Sequence, residues 1–304
     1  MITVCIATFR RLDRLALVLN DLAAQDLKPD EVTVVDNDAA GSAQAVVTQF
    51  TQEHTDFPVR YAIQPERNIA RTRNRTVALA SGDWLAFIDD DERAPKGWLR
   101  QLVNFATESG ADGVLGPVIP LVPQTAPDWI QRGNFYDFPR LPTGTVVPLN
   151  RMRFGNLILR GSSVRALEGP FDERYGLMAG EDGDLLVRMV EKGAKIVWCD
   201  EAIVEEPVEA SRQSLRWLMQ RSLGGGQEFA RKKMGGRYGS VTWPARIAFF
   251  LKALAQLGIA LTLTAVTLPL GRHHAAKWLT RSWANYGKIS ILWGSQHREY
   301  AALK

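Results

Sequence analysis

Four acidic residues in a row, Asp89, Asp90, Asp91 and Glu92, follow the apolar run at residues 84–88. Neighbouring carboxylates repel one another, so a purely structural role for this run needs a compensating cation. Hard divalent ions prefer oxygen ligands, and Mg²⁺ is commonly held by one or two carboxylates while substrate phosphates fill its other positions. The run predicts a divalent metal site beside a phosphorylated ligand. The alternative is a solvated acidic turn.

The elements that would position this run follow an α/β pattern over the first two hundred residues. Short apolar runs alternate with longer amphipathic stretches, which is typical of a parallel sheet with crossover helices. The pattern predicts strands at residues 2–7, 31–35, 59–63 and 84–88 and helices at 12–22 and 69–80, and it continues through 97–105, 114–118, 155–159, 182–190 and 195–198.

Polar residues directly after the predicted strands are candidates for binding a ligand. In open α/β sheets, ligands lie outside the carboxyl ends of the strands. Three such segments stand out, at residues 8–10, 36–38 and 89–92. No G-x-G-x-x-G follows the first strand and no G-x-x-x-x-G-K-[ST] occurs in the chain, which argues against a dinucleotide site and a P-loop.

Charge is distributed unevenly along the chain of 304 residues. Residues 1–210 carry 22 basic and 31 acidic groups, whereas residues 211–304 carry 15 basic and 2 acidic groups. A basic segment suggests a polyanionic partner, either nucleic acid or an anionic membrane. Residues 247–270 favour a membrane over nucleic acid, since they hold a single charge, Lys252, and are long enough to cross a bilayer. The alternative is a buried helix of a soluble domain.

The end of the chain has the composition of a membrane interface. Aromatic rings prefer the headgroup level and basic side chains favour anionic lipid, so residues 275–300 predict helices that lie on a membrane. Their aromatic residues are Trp278, Trp283, Tyr286, Trp293 and Tyr300. Basic residues on both sides of residues 247–270 favour an in-plane or re-entrant element over a single span.

The first residues of the chain and its two cysteines indicate the cellular compartment. The apolar residues 1–6 have no basic region before them and are followed at once by charged residues, so no secretory signal is visible. Cys5 and Cys199 are too few for a disulfide scaffold or a Cys-rich zinc module, and they fit a reducing cytosol. We expect the protein at the cytoplasmic face of the inner membrane.

Six segments of the chain occur in an order and spacing typical of one known family, and they lie at residues 4–10, 34–38, 70–74, 87–91, 171–175 and 180–185. Together they resemble the family-two glycosyltransferases of the GT-A fold, and more narrowly their bacterial exopolysaccharide-synthesis members. The resemblance covers about residues 1–220 and implies a Rossmann-like, mixed but mostly parallel sheet flanked by helices. It implies a catalytic domain at 1–222, with a nucleotide-sugar half at 1–118 and an acceptor half at 119–222, followed by a helical membrane-associating region at 223–304.

The same resemblance implies a role for the acidic residues. Asp89 and Asp91 would hold Mg²⁺ or Mn²⁺ on the diphosphate of a nucleotide-sugar, with Asp91 as the more direct ligand. Asp182 would be the general base that takes the proton of the acceptor hydroxyl, which leads to inversion at the anomeric carbon. Glu181 would lie on the acceptor side. The alternative for Glu181 and Asp182 is a helix N-terminus, where acidic side chains meet the helix dipole favourably.

The donor-binding residues also follow from the resemblance, and one of them departs from the family pattern. Asn37 stands where many relatives carry an Asp, which leaves the nucleotide base open. Arg71 and Arg73 would contact phosphate through their donor forks, or would simply be solvated. The full set of predicted donor-binding residues is Thr8, Phe9, Arg10, Asp36, Asn37, Asp38, Arg71, Arg73 and Asp90.

A second motif, Q-x-x-R-W, is formed by Gln213, Arg216 and Trp217. In processive polysaccharide synthases this motif binds diphosphate and stacks the acceptor sugar, so we predict an acceptor-binding role here. The alternative is that its apolar residues only pack. The glycines at 224–226 and 235–236 are expected to form flexible breaks before the tail.

These features lead to one principal functional hypothesis. The chain is expected to be a metal-dependent inverting glycosyltransferase that moves a sugar from a nucleotide-diphospho-sugar to a lipid-linked glycan at an anionic membrane. A processive synthase is the alternative enzyme, although the chain lacks the several spans that a polymer channel needs. A non-catalytic membrane scaffold of the same fold is the alternative from another class. Nucleic acid is not an expected partner, because residues 247–270 are too apolar.

Overall fold

A computed structural model describes residues 1–176 and 180–294. The described chain divides into two compact units. The first, which we call the sheet unit, comprises Met1–Pro120, Phe138–Gly176 and Glu181–Pro207. The second, which we call the helical unit, comprises Leu121–Asp137, Gly180 and residues 208–294.

The strands and helices alternate along the sheet unit, and helices make up most of the helical unit. The strands are β1 (Ile2–Thr8), β2 (Glu31–Asp36), β3 (Val59–Ile63), β4 (Trp84–Phe87), β5 (Gly113–Leu115), β6 (Val118–Leu121), β7 (Leu157–Arg160), β8 (Ile196–Trp198) and β9 (Val204–Pro207). The helices are α1 (Leu12–Ala23), α2 (Gln44–Glu53), α3 (Ile69–Leu79), α4 (Trp98–Ser109), α5 (Asp128–Gln131), α6 (Gly161–Arg165), α7 (Glu181–Glu191), α8 (Leu215–Met234), α9 (Trp243–Thr267) and α10 (Arg272–Ser290). Short 3₁₀ turns lie at Leu149–Arg151, Glu173–Tyr175, Ala210–Arg212, Leu268–Leu270 and Ile291–Trp293.

Within the described residues, the main sheet has seven strands in the order β3-β2-β1-β4-β7-β5-β8. The pairs β1/β2, β1/β4, β2/β3 and β5/β8 are parallel, whereas β7 runs antiparallel to both β4 and β5. β6 and β9 form a separate two-stranded sheet. The predicted mixed, mostly parallel sheet of an α/β domain is therefore confirmed.

Burial explains why these segments form strands and helices. Every residue of β2 is buried, and β1 is buried except at Ala7, as expected of strands covered by helices on both faces. The helix α1 buries Leu15, Val18, Leu19 and Leu22 on one face, which is the spacing of an amphipathic helix. The core of the sheet unit lies between these helices and the sheet.

The predicted strands and helices of the sheet unit mostly agree with the structure, and two of the differences have a local explanation. The predicted strand at 114–118 is divided, because β5 ends at Leu115 and Val118 begins β6 in the other sheet. Pro117 lies between them and has no N–H to continue the ladder. The helix α2, at Gln44–Glu53, was not predicted, since Val47 and Phe50 are its buried residues and the rest of its surface is largely polar.

The helical unit corrects the prediction for the glycines at 224–226. They lie inside α8, which runs unbroken from Leu215 to Met234 across the predicted domain boundary at 222. A Cβ at Gly226 would lie 2.0 Å from the carbonyl oxygen of Ala284, and a Cβ at Gly287 would lie 2.3 Å from that of Leu223. These glycines are required because the backbones of α8 and α10 approach closely, not because the chain breaks. The second glycine pair does follow a helix end, since α8 stops before Gly235.

The helix α9 matches the predicted apolar element. Among the described residues, one helical segment, Trp243–Leu270, is long and apolar enough to cross a membrane, with a mean hydropathy of 1.8. Its buried residues are the small Ala253 and Ala260, while large apolar side chains such as Leu251 and Leu254 are exposed. The predicted interfacial residues Trp278, Trp283 and Tyr286 lie on α10, whereas the predicted Tyr300 lies outside the described residues.

Candidate active site

The acidic run lies at the carboxyl end of β4, next to the end of β1. Asp90, Asp91 and Glu92 are at most 6% exposed, and Asp89 keeps 40% of its side chain exposed. The alternative of a solvated acidic turn therefore does not hold. The run is packed into the protein, with Asp89 open to solvent.

Arg11 supplies part of the positive charge that this buried run requires. Its Nη1 lies 2.7 Å from Oδ1 of Asp90 and 3.0 Å from Oδ2 of Asp91. Thr8, the last residue of β1, donates its hydroxyl to Oδ2 of Asp90 at 2.8 Å. Asp90 is thus held by β1 and by the turn that follows it, and it is less available to a ligand than Asp89.

Excess negative charge remains at the run despite Arg11. Desolvation raises the pKa of Asp90 to about 6, and the charge of Asp91 adds to this effect against Arg11. Desolvation and the neighbouring Asp89 raise the pKa of Glu92 well above its usual value. A divalent cation would relieve this charge, and the carboxylate oxygens of Asp89 and Asp91 are the hard donors that such a cation prefers.

The donor set fits a metal that is shared with a substrate. Within residues 1–176 and 180–294, no group of three or more His, Cys, Asp or Glu side chains is arranged to hold a metal ion without further ligands. Mg²⁺ is commonly bound through one or two carboxylates and completed by substrate phosphates. Asp89 and Asp91 match that arrangement.

Arg73 connects the acidic run to the start of α7. Its guanidinium pairs with Asp89 at 3.0 Å and with Glu181 at 2.5 Å, and the Arg73 side chain is 7% exposed. The guanidinium lies 4.4 Å from the ring centroid of Phe154, which favours a cation over the ring face. The alternative of a solvated Arg73 is therefore wrong.

Asp182, the predicted base, is half-buried in the first turn of α7. Its Oδ1 accepts a hydrogen bond from the backbone N–H of Gly183 at 2.6 Å. Although part of Asp89 reaches solvent, desolvation raises its pKa, and the negative charges of Asp91 and Asp182 add to this against Arg73. Asp182 is therefore within electrostatic range of the predicted metal ligands. The position at a helix N-terminus, which was the alternative explanation, is compatible with this.

The turn after β2 is held by its own polar side chains. Asp36 accepts hydrogen bonds from the N–H groups of Asp38 and Ala43 and from the Tyr61 hydroxyl. The pKa of Tyr61 is raised, first by burial and then by this bond to Asp36. Asp36 therefore fixes the start of the turn to β3 and α2.

Asn37 fastens the same turn to the segment before α3. Its amide nitrogen donates to the carbonyl oxygens of Gln64 and Glu66 at 2.8 and 2.7 Å, and its Oδ1 accepts from the N–H of Asn68 at 3.1 Å. An Asp at this position lacks the two donors. The departure from the family pattern thus has a local physical reason.

Asp38, Arg10 and Phe9 lie together where the ends of β1 and β2 meet. Nε of Arg10 donates to Oδ2 of Asp38 at 2.8 Å, and this bond holds the pKa of Asp38 below its usual range. The guanidinium of Arg67 lies 4.4 Å from the ring centroid of Phe9, and that of Arg10 lies 5.2 Å from it. The structure brings these three predicted donor-binding residues together.

Arg71 has a different environment from Arg73. It lies on the partly exposed side of α3, where its guanidinium pairs with Glu66 and with Glu173, the latter at 2.7 Å. Its role in phosphate binding stays a prediction.

The Q-x-x-R-W residues lie in the helical unit. Gln213 donates its amide to the carbonyl oxygen of Val208 at 2.8 Å, and Trp217 lies 6.0 Å from the ring of Tyr136. Arg216 is exposed on the first turn of α8. Trp217 packs against a small apolar cluster that includes Leu218, so packing explains part of the motif. An acceptor-binding role for the three residues stays a prediction.

One residue of the site was missed by sequence reasoning. Arg11 was not predicted as a site residue, yet it pairs with two carboxylates that lie about eighty residues further along the chain. Its role could have been predicted from its position, because Arg11 directly follows the polar segment at the end of the first strand.

A mixed sheet with a buried acidic run at a strand end, within electrostatic range of a second carboxylate at a helix start, is the arrangement that the predicted GT-A fold requires. The sequence model of glycosyl transferase family 2 matches residues 3–161, which is more than half of the chain. The chain belongs to glycosyl transferase family 2.

Relatives and solved structures agree with this assignment. The chain is 36% identical over 234 residues to the succinoglycan biosynthesis protein ExoM of Rhizobium meliloti, covering 76% of this chain and 74% of that protein. It is 24% identical to the amylovoran biosynthesis glycosyltransferase AmsB of Erwinia amylovora, covering 71% of this chain and 76% of that protein. The structure of the mannosyltransferase PcManGT from Pyrobaculum calidifontis in complex with GDP-Man and Mn²⁺ matches with a TM-score of 0.68 at 17% identity, over 97% of this chain and 88% of that one. The predicted GT-A fold is confirmed.

Proposed function

We propose that this glycosyltransferase moves a sugar from a nucleotide-diphospho-sugar to a lipid-linked glycan, with inversion, during the synthesis of an exopolysaccharide or cell-surface glycan. The observation that carries the proposal is the placement of Asp89, Asp91 and Asp182 within one compact unit, with Arg73 between the acidic run and the start of α7. Two relatives named for exopolysaccharide biosynthesis support the pathway class.

The donor diphosphate is proposed to bind at the acidic run. Asp89 and Asp91 would hold Mg²⁺ or Mn²⁺, which neutralises the charge that develops on the departing diphosphate. The Mn²⁺ in the mannosyltransferase structure supports a divalent metal in this fold. Arg11 and Thr8 keep Asp90 turned into the protein, so that Asp89 remains the solvent-facing carboxylate of the run.

The acceptor hydroxyl is proposed to give its proton to Asp182. A sugar hydroxyl is a weak nucleophile, and a carboxylate that removes its proton during attack accelerates the transfer. Attack from the side opposite the leaving diphosphate inverts the anomeric carbon. Glu181, which the sequence suggested for acceptor binding, is buried against Arg73 and is better suited to hold α7 in place.

The nucleotide is proposed to bind where β1 and β2 end. Phe9 offers an aromatic face there, and the Arg10–Asp38 pair lies beside it. Asp36 and Asn37 shape this turn through their bonds to the protein. Arg71 is proposed as a phosphate contact, which requires that it exchange one of its carboxylate partners for the ligand.

The helical unit is proposed to bind the membrane and the acceptor. Leu251 and Leu254 on α9 are 61% and 57% exposed, which is costly in water and favourable in lipid. The basic residues around α9 favour an anionic membrane, and we propose its cytoplasmic face. Gln213, Arg216 and Trp217 are proposed to contact the lipid-linked glycan.

Calorimetric titration of the purified chain with UDP, GDP and TDP, each with and without Mn²⁺, tests the donor site. We expect one nucleotide to bind, and to bind more tightly with the metal. A folded protein that binds none of them in either condition contradicts the proposal and favours a non-catalytic scaffold.

Product analysis tests the reaction itself. Incubation of the full chain, a nucleotide-sugar and a lipid-linked acceptor in vesicles should give a product longer by one sugar. A ladder of longer products contradicts single-sugar transfer and indicates a processive synthase. Flotation with vesicles, with and without anionic lipid, tests the membrane part independently of the donor.

A further inference from the structure

The helices α9 and α10 form a hairpin whose register is fixed by two lysines. The short segment 268–271 joins the two helices, which pack side by side. Burial lowers the pKa of Lys288 on α10, and the positive charge of Lys252 on α9 lowers it further, so the two side chains lie close to each other. Each lysine is about sixteen residues from the connecting segment, so α10 runs back along α9 for about 24 Å.

The return of α10 along α9 determines whether α9 can cross a membrane. Arg281, which is exposed, lies on α10 about 14 Å from the connecting segment. The hydrocarbon core of a bilayer is about 30 Å thick, so a crossing α9 would hold Arg281 near the centre of the core. A charged side chain at that depth is costly. Lys277 and Lys288 on the same helix would add to this cost.

The unbroken course of α9 also excludes a re-entrant element. A re-entrant segment has to reverse its direction inside the membrane, whereas α9 is one helix of 25 residues from Trp243 to Thr267. Of the two arrangements that the sequence favours, an in-plane helix is therefore the one that the structure supports.

Opposite sides of the hairpin differ in polarity. A residue two positions further along an α-helix lies about 200° away, nearly on the opposite side. At this spacing Lys252 is followed by Leu254 on α9, and Arg281 is followed by Trp283 on α10. Because Lys252 lies close to Lys288, and Arg281 lies two turns before Lys288, the charged residues of both helices share one side of the hairpin. Leu254 and Trp283 therefore share the other side.

The side that carries Leu254 and Trp283, which we call the apolar side, is exposed on α9 and aromatic on α10. Its α9 residues recur at spacings of four and seven and are at least 46% exposed. The rings of Trp283 and Tyr286 on α10 lie 5.9 Å apart. The α9 residues of the apolar side are Trp243, Ile247, Leu254, Leu261 and Leu268. The opposite side, which we call the basic side, carries Lys252, Lys277, Arg281 and Lys288.

The charge of this part of the chain favours lipid over a second copy of the chain as the cover of the apolar side. Residues 211–304 carry 15 basic and 2 acidic groups, so two such hairpins repel each other. An anionic membrane attracts the same charge. An apolar side that is rich in Leu, Ile and Trp, opposite a side that is rich in Lys and Arg, is typical of helices that lie in a membrane interface.

We propose that the α9–α10 hairpin lies in the plane of an anionic membrane and enters one leaflet only. The apolar side faces the hydrocarbon, and the basic side lies at the level of the lipid phosphates. Both ends of α9 are then on the same side of the membrane. The inference rests on the membrane part of the proposed function and is independent of the donor site.

Labelling from one side of the membrane tests whether α9 crosses it. The variants T242C and R272C place a thiol at an exposed position on either side of the segment Trp243–Leu270. The native Cys5 and Cys199 are buried, and burial raises the pKa of both thiols, so they react slowly. In sealed inverted vesicles from cells that express the full chain, a membrane-impermeant maleimide should label both variants before detergent is added. Labelling of one variant only after detergent overturns the proposal.

A matched pair of variants tests which side of the hairpin faces the hydrocarbon. K252C and L254C lie about 3 Å apart along the axis of α9, so a crossing helix would hold both at the same depth. With an environment-sensitive dye on each thiol, a quencher in the acyl chains should act at least about threefold more strongly on L254C than on K252C. Aqueous iodide should show the reverse order. Equal quenching of the two variants by either quencher overturns the proposal.

Two further measurements separate this inference from the proposed function. Disulfide cross-linking between L254C chains without lipid quenching would assign the apolar side to a second copy and overturn the proposal. Nucleotide titration of each variant should match wild type, because Lys252 and Leu254 are exposed and lie outside the donor site. A chain that does not float with anionic vesicles contradicts the membrane part of the proposed function as well, whereas a bound chain with α9 across the membrane contradicts this inference alone.

Discussion

Arg73 and Glu181 form a buried ion pair that joins α3 to the first residue of α7. Nη1 of Arg73 lies 2.5 Å from Oε1 of Glu181, and the two side chains are 7% and 1% exposed. The other arm of the guanidinium lies 3.0 Å from Asp89. A single side chain therefore fixes the acidic run and the turn that carries Asp182, so the predicted metal ligands and the predicted base share one anchor.

Replacement of Arg73 should destabilise the protein because it removes the guanidinium from a buried carboxylate. We expect R73Q to lower the free energy of unfolding by about 3 kcal/mol, as is typical when one partner of a buried pair is lost. Denaturant unfolding measures this. The control is R75Q, since Arg75 is exposed on the same helix, and it should stay within about 0.5 kcal/mol of wild type.

The buried pair of Arg73 and Glu181 also predicts that a second substitution, at Glu181, restores part of the stability that R73Q loses. In R73Q/E181Q neither partner carries a charge, so the double variant should be more stable than R73Q alone. Two results would show that the buried pair does not determine the position of α7. In the first, the destabilisation of R73Q/E181Q equals the sum of those of R73Q and E181Q. In the second, R73Q is as stable as wild type.

Asp182 should be required for turnover but not for donor binding. We expect D182N to lower kcat by about 10²–10⁴-fold, because the amide does not take the acceptor proton. Product formation and nucleotide titration measure the two effects separately. E191Q, an exposed change at the other end of α7, is the control. Full turnover in D182N would exclude Asp182 as the base.

Much of the sheet unit could be predicted because its signals are local. β1 and β2 are apolar runs covered on both sides, and α1 shows its buried leucines at helical spacing. The position of β7 could not be predicted. It lies antiparallel between β4 and β5, and its pairing with β4 joins residues that are at least seventy apart in the chain.

The candidate site divides in the same way into residues with a local sequence signal and residues whose partners are distant in the chain. The acidic run and Asp182 were found from residue types and order, because they depend on short motifs. The partners of Arg11 and Arg73 depend on folded geometry, since Arg11 pairs across 79 residues and Arg73 across 108. The prediction of a flexible break at the glycines at 224–226 was wrong. In the sequence alone, a glycine that allows two helices to approach cannot be distinguished from one that breaks a helix.

If Asp89 and Asp91 are the metal ligands, as proposed, their replacement should selectively weaken metal-dependent binding. D91N removes one negative oxygen donor, so we expect the tightening of nucleotide binding by Mn²⁺ to fall at least about tenfold while metal-free binding changes little. Calorimetry with and without Mn²⁺ measures both. The control is D56N, which makes the same change at an exposed Asp earlier in the chain, outside the acidic run. An unchanged Mn²⁺ effect in D91N and in D89N would place the metal elsewhere.

Asn37 should not tolerate the acidic residue that many relatives carry. N37D keeps the acceptor for the N–H of Asn68 but replaces two amide donors by an oxygen that faces the carbonyl groups of Gln64 and Glu66. We expect the free energy of unfolding to fall by about 2 kcal/mol near neutral pH. Denaturant unfolding checks this against N20D, the same change at an exposed position of α1. Equal stability of the two variants would mean that the turn rearranges.

The close approach of α8 and α10 predicts opposite effects at two adjacent glycines. A Cβ at Gly226 would lie 2.0 Å from the carbonyl oxygen of Ala284, so G226A must push the helices apart and should cost about 2–3 kcal/mol. At Gly225 a Cβ meets no atom within 4 Å, so G225A should stabilise α8 by about 0.5–1 kcal/mol through helix propensity. Thermal unfolding of the two variants in the same detergent compares them directly. If G226A is as stable as G225A, then α8 and α10 do not pack through Gly226, and the glycines at 224–226 are tolerated in the helix for another reason.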